Sequence, residues 1–255
     1  MVRVLLKWMG IILLLLIYFI LSAFVFVIPL KTAMKRSYAI RITSFFSRNI
    51  LAIFGVRVRI SNREDFQKKH NYLIISNHVS YVDVLILSSL IPSVFITSVE
   101  LKNTALLGTI AKCSGSIFIE RRKASDLKAE IESIAFVLKN GFSVVLFPEG
   151  TTSNGDCVMQ FKKSLFDSAI IAQADVFPVY IRYTRIDNKL LTQQTRDSVY
   201  YYGGVTFFKH VTRLLSKKSI EVMVMPLSIV KVNANISRKD LAAMTYKAIS
   251  TAHNG

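Results

Sequence analysis

His78 is followed five residues later by Asp83, within Ser76-Asn77-His78-Val79-Ser80-Tyr81-Val82-Asp83. An imidazole and a carboxylate at this distance can work as a general base. The carboxylate holds one ring nitrogen, fixes the tautomer and stabilises the cation, while the other nitrogen takes a proton from a hydroxyl. The spacing limits how they can meet. Five residues along one continuous helix turn through about 500°, so the two would not share a face. They meet if His78 sits on a loop and Asp83 in the first turn of the next helix. The apolar run YLIIS just before Asn77 reads as a strand. A loop at the C-terminal end of a strand is where ligands collect in open α/β sheets. The same residues have a plainer reading. Ser80-x-x-Asp83 is a capping box, so Asp83 can serve only to start a helix.

Three further stretches carry chemical possibilities. Gly115-Ser116-Ile117-Phe118-Ile119-Glu120-Arg121-Arg122 is a strand ending in charge. Its arginines are either a solvated strand end or a guanidinium clamp for a phosphate. Phe147-Pro148-Glu149-Gly150-Thr151-Thr152-Ser153-Asn154-Gly155 follows a buried apolar strand. Backbone N–H groups in such a turn bind anions, and Glu149 could hold an acceptor hydroxyl or structure the loop. An ordinary Ser/Asn/Gly turn fits as well. Val176-Phe177-Pro178-Val179 is a strand interrupted by proline and says little alone. No GxSxG elbow occurs, and neither Cys113 nor Cys157 is paired with a histidine in a motif. A covalent enzyme intermediate is therefore not suggested, and no Cys/His cluster points to zinc.

Short apolar strands alternate with helical patterns beyond residue 57. Strands are expected at Val56–Ile60, Tyr72–Ser76, Val94–Thr97, Ser116–Ile119, Ser143–Phe147, Val176–Arg182 and Ile220–Met225. Helices are expected at Val82–Leu90, Ala105–Cys113, Ala124–Lys139, Lys163–Gln173 and Lys239–Ala252. This alternation predicts an α/β domain around a mixed, largely parallel sheet. Residues 184–200 are poor in large apolar side chains and read as a surface excursion.

The N-terminus has a different solvent. Trp8 to Leu30 is a run of 23 uncharged residues, about 34 Å as a helix and long enough to cross a hydrocarbon core. A cleaved signal would have a shorter apolar region. The basic residues Lys31, Lys35, Arg36 and Arg41 beyond it place the following domain on the cytoplasmic side. Residues 37–55 carry apolar side chains at helical spacing, interrupted by Arg41 and Arg48, and read as an amphipathic helix in the interface or packed on the domain. The chain has 255 residues, is 52% hydrophobic and holds 33 Lys and Arg against 16 Asp and Glu. Its mean hydropathy is +0.41. The charge of +17 suits an anionic bilayer surface. No nucleic-acid motif accompanies it, which argues against nucleic acid as a partner.

Taken in order, the four stretches resemble the phospholipid/glycerol acyltransferase family, which includes bacterial 1-acylglycerol-3-phosphate acyltransferases. The family's NHX4D motif resembles Asn77-His78 through Asp83, its second motif Gly115 through Arg121, its third Phe147-Pro148-Glu149-Gly150-Thr151, and its fourth Val176-x-Pro178-Val179. The likeness covers roughly residues 55–230. Behind the membrane anchor (1–36) and the interfacial helix (37–55) read from the residues above, it implies a glycerolipid acyltransferase-like α/β domain over 56–255. It implies catalysis by His78 and Asp83, and substrate binding by Asn77, Arg121, Glu149, Gly150, Thr151 and Thr152. The reaction implied is acyl transfer from acyl-CoA or acyl carrier protein to lysophosphatidic acid, with membrane lipids as partners and no metal or organic cofactor. Two positions depart from the pattern. Glu120 stands where many members have Asp, and Thr152 where phosphatidic-acid-forming members usually carry Arg. An EGTT-type motif resembles members that reacylate larger lysolipids, which makes another lysolipid, such as a lyso-ornithine lipid, the alternative acceptor. Lys162 and Lys163 follow in FKKSLF and can supply the missing charge.

Overall fold

The computed structural model describes residues 2–62, 71–120 and 126–255. Arg121 lies outside the described residues, as does the start of the helix expected at Ala124.

Helix α1 (Val2–Val27) ends two residues before Pro29, which has no N–H to continue it. The chain turns and returns along α1 as α2 (Thr32–Phe54). Gly55 closes α2 at φ 78°, and a Cβ there would lie 2.6 Å from the Lys218 carbonyl oxygen. Only glycine tolerates both conditions. Strands β1 (Val56–Ile60) and β2 (Leu73–Ser76) follow, then α3 (Tyr81–Leu90), β3 (Val94–Ser98), the single turn α4 (Val99–Lys102), α5 (Ala105–Cys113) and β4 (Ile117–Ile119). Next come α6 (Leu127–Lys139), β5 (Val144–Leu146), α7 (Asp167–Ala172), β6 (Val176–Ile186) and β7 (Lys189–Leu190). The chain ends with α8 (Phe207–Ser216), β8 (Ile220–Pro226) and α9 (Arg238–Asn254).

The strands form one sheet in the order β1-β8-β6-β2-β5-β3-β4, with β7 beside β6. β6 runs antiparallel to β8 and β7, and the other pairs are parallel. The period of two in a strand sends alternate side chains to opposite faces. Ile74, Val145 and Phe177 pack under α1, α2, α3 and α8. Leu73, Val144 and Val176 pack against α6, α7 and α9. Helix α3 is fixed by Val82, Ile86 and Leu87, each at most 2% exposed. Burying each is worth about 1.5–3 kcal/mol relative to exposure. The architecture is the mixed, mostly parallel α/β sheet between helices that the alternation predicts.

Three elements differ from expectation. The helix expected at Lys163–Gln173 is a 3₁₀ turn, Ser164–Phe166, leading into the shorter α7. The segment 184–200 is not simply an excursion. β6 continues to Ile186, and Val199 is fully buried. Helix α8 was not anticipated, although His210, Val211, Leu214 and Leu215 fall on one buried face.

Helix α1 lies along the domain. Ile11, Tyr18, Ser22 and Val25 are buried against it. Arg3 donates to the carbonyls of Lys217 and Lys218, and Lys7 to those of Lys217 and Phe54. These cations sit at the C-terminal ends of α8 and α2, where carbonyls lack helical partners and the helix dipole is negative. The opposite face of α1 is bare and apolar, with Leu5, Ile12, Leu16, Ile20 and Phe24 each more than half exposed.

Candidate active site

β2 ends at Ser76, and α3 starts at Tyr81 with Ser80 as its N-cap. The four residues between them are held rigidly. The Asn77 side chain accepts from the Ile181 N–H at 2.8 Å and donates to the Ile181 carbonyl at 3.0 Å, which locks the loop onto β6. The His78 N–H donates to Glu149 Oε1 at 2.8 Å, and the His78 carbonyl accepts from the Ser153 N–H at 2.9 Å. Ser80 Oγ donates to the Val199 carbonyl at 2.7 Å, and the Val79 carbonyl accepts from the Tyr201 N–H.

On that frame His78 and Asp83 meet. His78 Nδ1 is 3.0 Å from Asp83 Oδ2. Oδ2 also accepts from the backbone N–H groups of Val79 at 2.8 Å and Ser80 at 2.9 Å. The capping role and the imidazole-orienting role are therefore performed by the same oxygen. The arrangement is the one the spacing requires, with His78 on the loop and Asp83 in the first helical turn. Asp83 is fully buried, whereas the His78 side chain is 16% exposed and faces a cavity. Asp83 offers Nδ1 only acceptors, so Nδ1 carries the proton and Nε2 presents a lone pair to that cavity. The imidazole ring stacks on Phe147 with centroids 4.0 Å apart and planes 16° off parallel.

The cavity holds about 750 Å³. Its apolar wall comes from α1 and α2 (Trp8, Leu15, Phe46, Ile50), α5 (Leu107, Ile110) and α8 (Phe207, Phe208). Its polar lining includes Gly150, Thr151, Thr152 and Lys162 beside His78, and the carboxylate residues Glu120 and Glu130. Gly150 adopts φ +76°, and a Cβ there would lie 2.8 Å from Lys162 Nζ. The missing side chain is thus what lets the Lys162 ammonium lie over the turn. Among the described residues no carboxylate pairs with Lys162.

The other expected site residues lie elsewhere. Asn77 and Glu149 do not line the cavity. Glu149 is 3% exposed, and its two oxygens are taken by the N–H groups of His78 and Met159. Burial pushes its carboxyl up to about 7 in spite of those two bonds. Of the two readings of Glu149, the geometry is that of a brace joining the His78 loop to the turn after β5.

The site is thus a strand-end histidine backed by a buried carboxylate and open to a largely apolar cavity. The family model described as Acyltransferase matches residues 57–182. The chain is 32% identical over 222 residues to the lyso-ornithine lipid O-acyltransferase of Brucella abortus, covering 84% of this chain and 81% of that protein. The chain belongs to the acyltransferase family. This acyltransferase is also 34% identical over 177 residues to the 1-acyl-sn-glycerol-3-phosphate acyltransferase of Neisseria meningitidis, covering 69% of this chain and 67% of that one. Its fold matches the crystal structure of the 1-acyl-sn-glycerophosphate acyltransferase PlsC from Thermotoga maritima. The TM-score is 0.68 over 99% of this chain and 95% of that one, at 18% identity. It is thus an acyltransferase of the 1-acylglycerol-3-phosphate/lysolipid group, as the four motifs imply.

Two parts of the acyltransferase site escaped the sequence reading. α8 supplies Phe207, Phe208 and Val211 to the cavity. Tyr183 reaches Asp83 from β6. Tyr183 continues the alternation of Val179 and Ile181 one step beyond the expected strand end at Arg182, so the signal was there but cut short.

Proposed function

We propose that this enzyme transfers a fatty-acyl group from the thioester of acyl-CoA or acyl carrier protein to the free hydroxyl of lysophosphatidic acid. The observation that carries this reading is His78, with Nδ1 held by Asp83 and the ring facing a largely apolar cavity whose lining includes the Lys162 ammonium. Nε2 takes the proton of the acceptor hydroxyl as its oxygen attacks the thioester carbonyl. The carbon–sulfur bond breaks, the proton passes from Nε2 to the leaving thiolate, and an ester and a free thiol remain. The wall formed by α1, α2 and α5 suits the fatty chain, and Lys162 suits an anionic headgroup.

A second acceptor has its own support. Thr152 is neutral, and the relatives aligned over most of the chain include lyso-ornithine lipid acyltransferases. An N-acylated ornithine carries one carboxylate offset by its side-chain ammonium, so Lys162 meets less net charge there. Initial rates with lysophosphatidic acid and with lyso-ornithine lipid decide between them. We expect the faster rate with lysophosphatidic acid. Lys162→Ala is expected to raise its KM roughly 10-fold, the size of one charge-assisted hydrogen bond, with the donor KM unchanged. Turnover of lyso-ornithine lipid with none of lysophosphatidic acid would reverse the ranking.

Helix α1 is long and apolar enough to cross a membrane, yet one face is packed lengthwise on the domain. We infer that it lies in one leaflet, bare face down, and delivers lipid to the cavity it helps to line. Spanning would pull Ile11 and Tyr18 out of their packing on the domain and part Arg3 and Lys7 from the ends of α8 and α2. An N-terminal tag in sealed vesicles is therefore expected to be cut by protease from the same side as the domain, in a protein that resists salt extraction. Cleavage from opposite sides would show a spanning helix.

A further inference from the structure

We propose that Tyr183 is a positioning residue of the reaction, acting through Asp83 to hold His78 in its working orientation. The inference rests on the proposed roles of His78 and Asp83. Tyr183 OH donates to Asp83 Oδ1 at 2.7 Å. Oδ2 already receives three donors, from His78, Val79 and Ser80. Without Tyr183, Oδ1 would be a buried anionic oxygen with no donor among those that the described residues give to Asp83. Both side chains are almost fully enclosed, Asp83 at 0% and Tyr183 at 3% exposure, so water is a poor substitute. Burial, and after it the Asp83 carboxylate, hold the Tyr183 phenol well above its usual range. It therefore keeps its proton and remains a donor.

The location explains why a tyrosine from a distant strand reaches this carboxylate. β2 pairs with β6 only as far as Ser76 opposite Val179. β6 runs on to Ile186, beneath the loop that carries His78. Asn77 grips that extension at Ile181. Tyr183 projects from the same face two residues later, under the first turn of α3. Its ring is set edge-on by Tyr200 at 5.6 Å. Asp83 is left with both oxygens bound from different directions, and so with one orientation of the carboxylate plane. The Nδ1 bond to His78 follows from that orientation.

Tyr183→Phe removes one oxygen atom and keeps the ring. Its kcat is expected to fall roughly 10- to 100-fold, as for loss of one hydrogen bond to a charged group, while both KM values stay within about twofold because Tyr183 does not line the cavity. Unchanged kcat, or an effect confined to KM, overturns the proposal. The double variant Asp83→Asn with Tyr183→Phe covers the case in which Tyr183→Phe alone does not fold, because the group left without the Tyr183 hydroxyl is then a neutral amide, which costs less than a buried anionic oxygen. It is expected to turn over within about threefold of Asp83→Asn alone, since the charge through which the tyrosine works is gone and only its contact with the neutral amide is lost. A further 10-fold fall would mean that Tyr183 acts by another route and would refute its role. His78→Ala is assayed beside them. An inactive His78 variant with a fully active Tyr183→Phe enzyme overturns the Tyr183 role alone. A fully active His78→Ala enzyme overturns the acyl-transfer mechanism and this inference with it.

Discussion

His78→Ala is expected to lower turnover roughly 10²- to 10⁴-fold, the usual contribution of a positioned general base, without unfolding the protein. The second half of that expectation comes from the bonds around the imidazole. Removing the ring takes one donor from Asp83, but Val79 N–H, Ser80 N–H and Tyr183 OH remain on its two oxygens. The loop keeps its own anchors, because Glu149 and Ser153 bind the His78 backbone rather than its side chain. The lost packing is one face of Phe147, on the wall of an open cavity. Initial rates with acyl-CoA and a lysolipid, set beside a thermal melt, separate the two effects. A folded variant with near-parental turnover would remove His78 from the mechanism. A variant that loses its melting transition would show instead that the imidazole holds the loop, against every bond described there.

The motifs made most of this site legible because they are local. Asn77, His78, Ser80 and Asp83 are close in sequence, and the capping box and strand end constrain their geometry. The turn after β5 is equally compact, with Gly150 and Gly155 both at a positive φ that favours glycine. What the sequence left open depends on contacts across long separations. Tyr183 meets Asp83 a hundred residues away in sequence, and no spacing rule encodes the overhang of β6 beyond β2. Glu149 could be read as a substrate ligand or a brace, because a carboxylate in a turn looks the same until its partners are seen. The long apolar run of α1 satisfies the arithmetic of a membrane span whether or not one face is packed on protein. The packed face shows in the bonds of Arg3, Lys7 and Tyr18 to residues of α2, α5 and the end of α8, which no run of apolar residues encodes.

Asp83→Asn isolates the charge of the dyad from its geometry, and its expected loss is also about 10²- to 10⁴-fold in turnover. An amide in place of a carboxylate usually fails where every partner is a donor, because its NH2 then faces an N–H. Here the four donors are divided unevenly. Oδ2 takes the fixed donors, two backbone N–H groups and His78 Nδ1, while Oδ1 takes only the Tyr183 hydroxyl. The asparagine oxygen can replace Oδ2 and keep all three fixed bonds. Its NH2 then points at Tyr183 OH, which can turn and accept, since a phenol oxygen does either. The helix cap survives, the imidazole keeps its tautomer, and only the negative charge beside Nδ1 is gone. What fails is the stabilisation of the imidazolium that forms when Nε2 takes the acceptor proton. The expected result is a protein that melts close to the parent, binds acceptor and donor with near-parental KM, and has lost most of its kcat. Retained activity with a lowered melting temperature would identify Asp83 as a helix cap that happens to touch a histidine, and would leave His78 to act without an orienting charge.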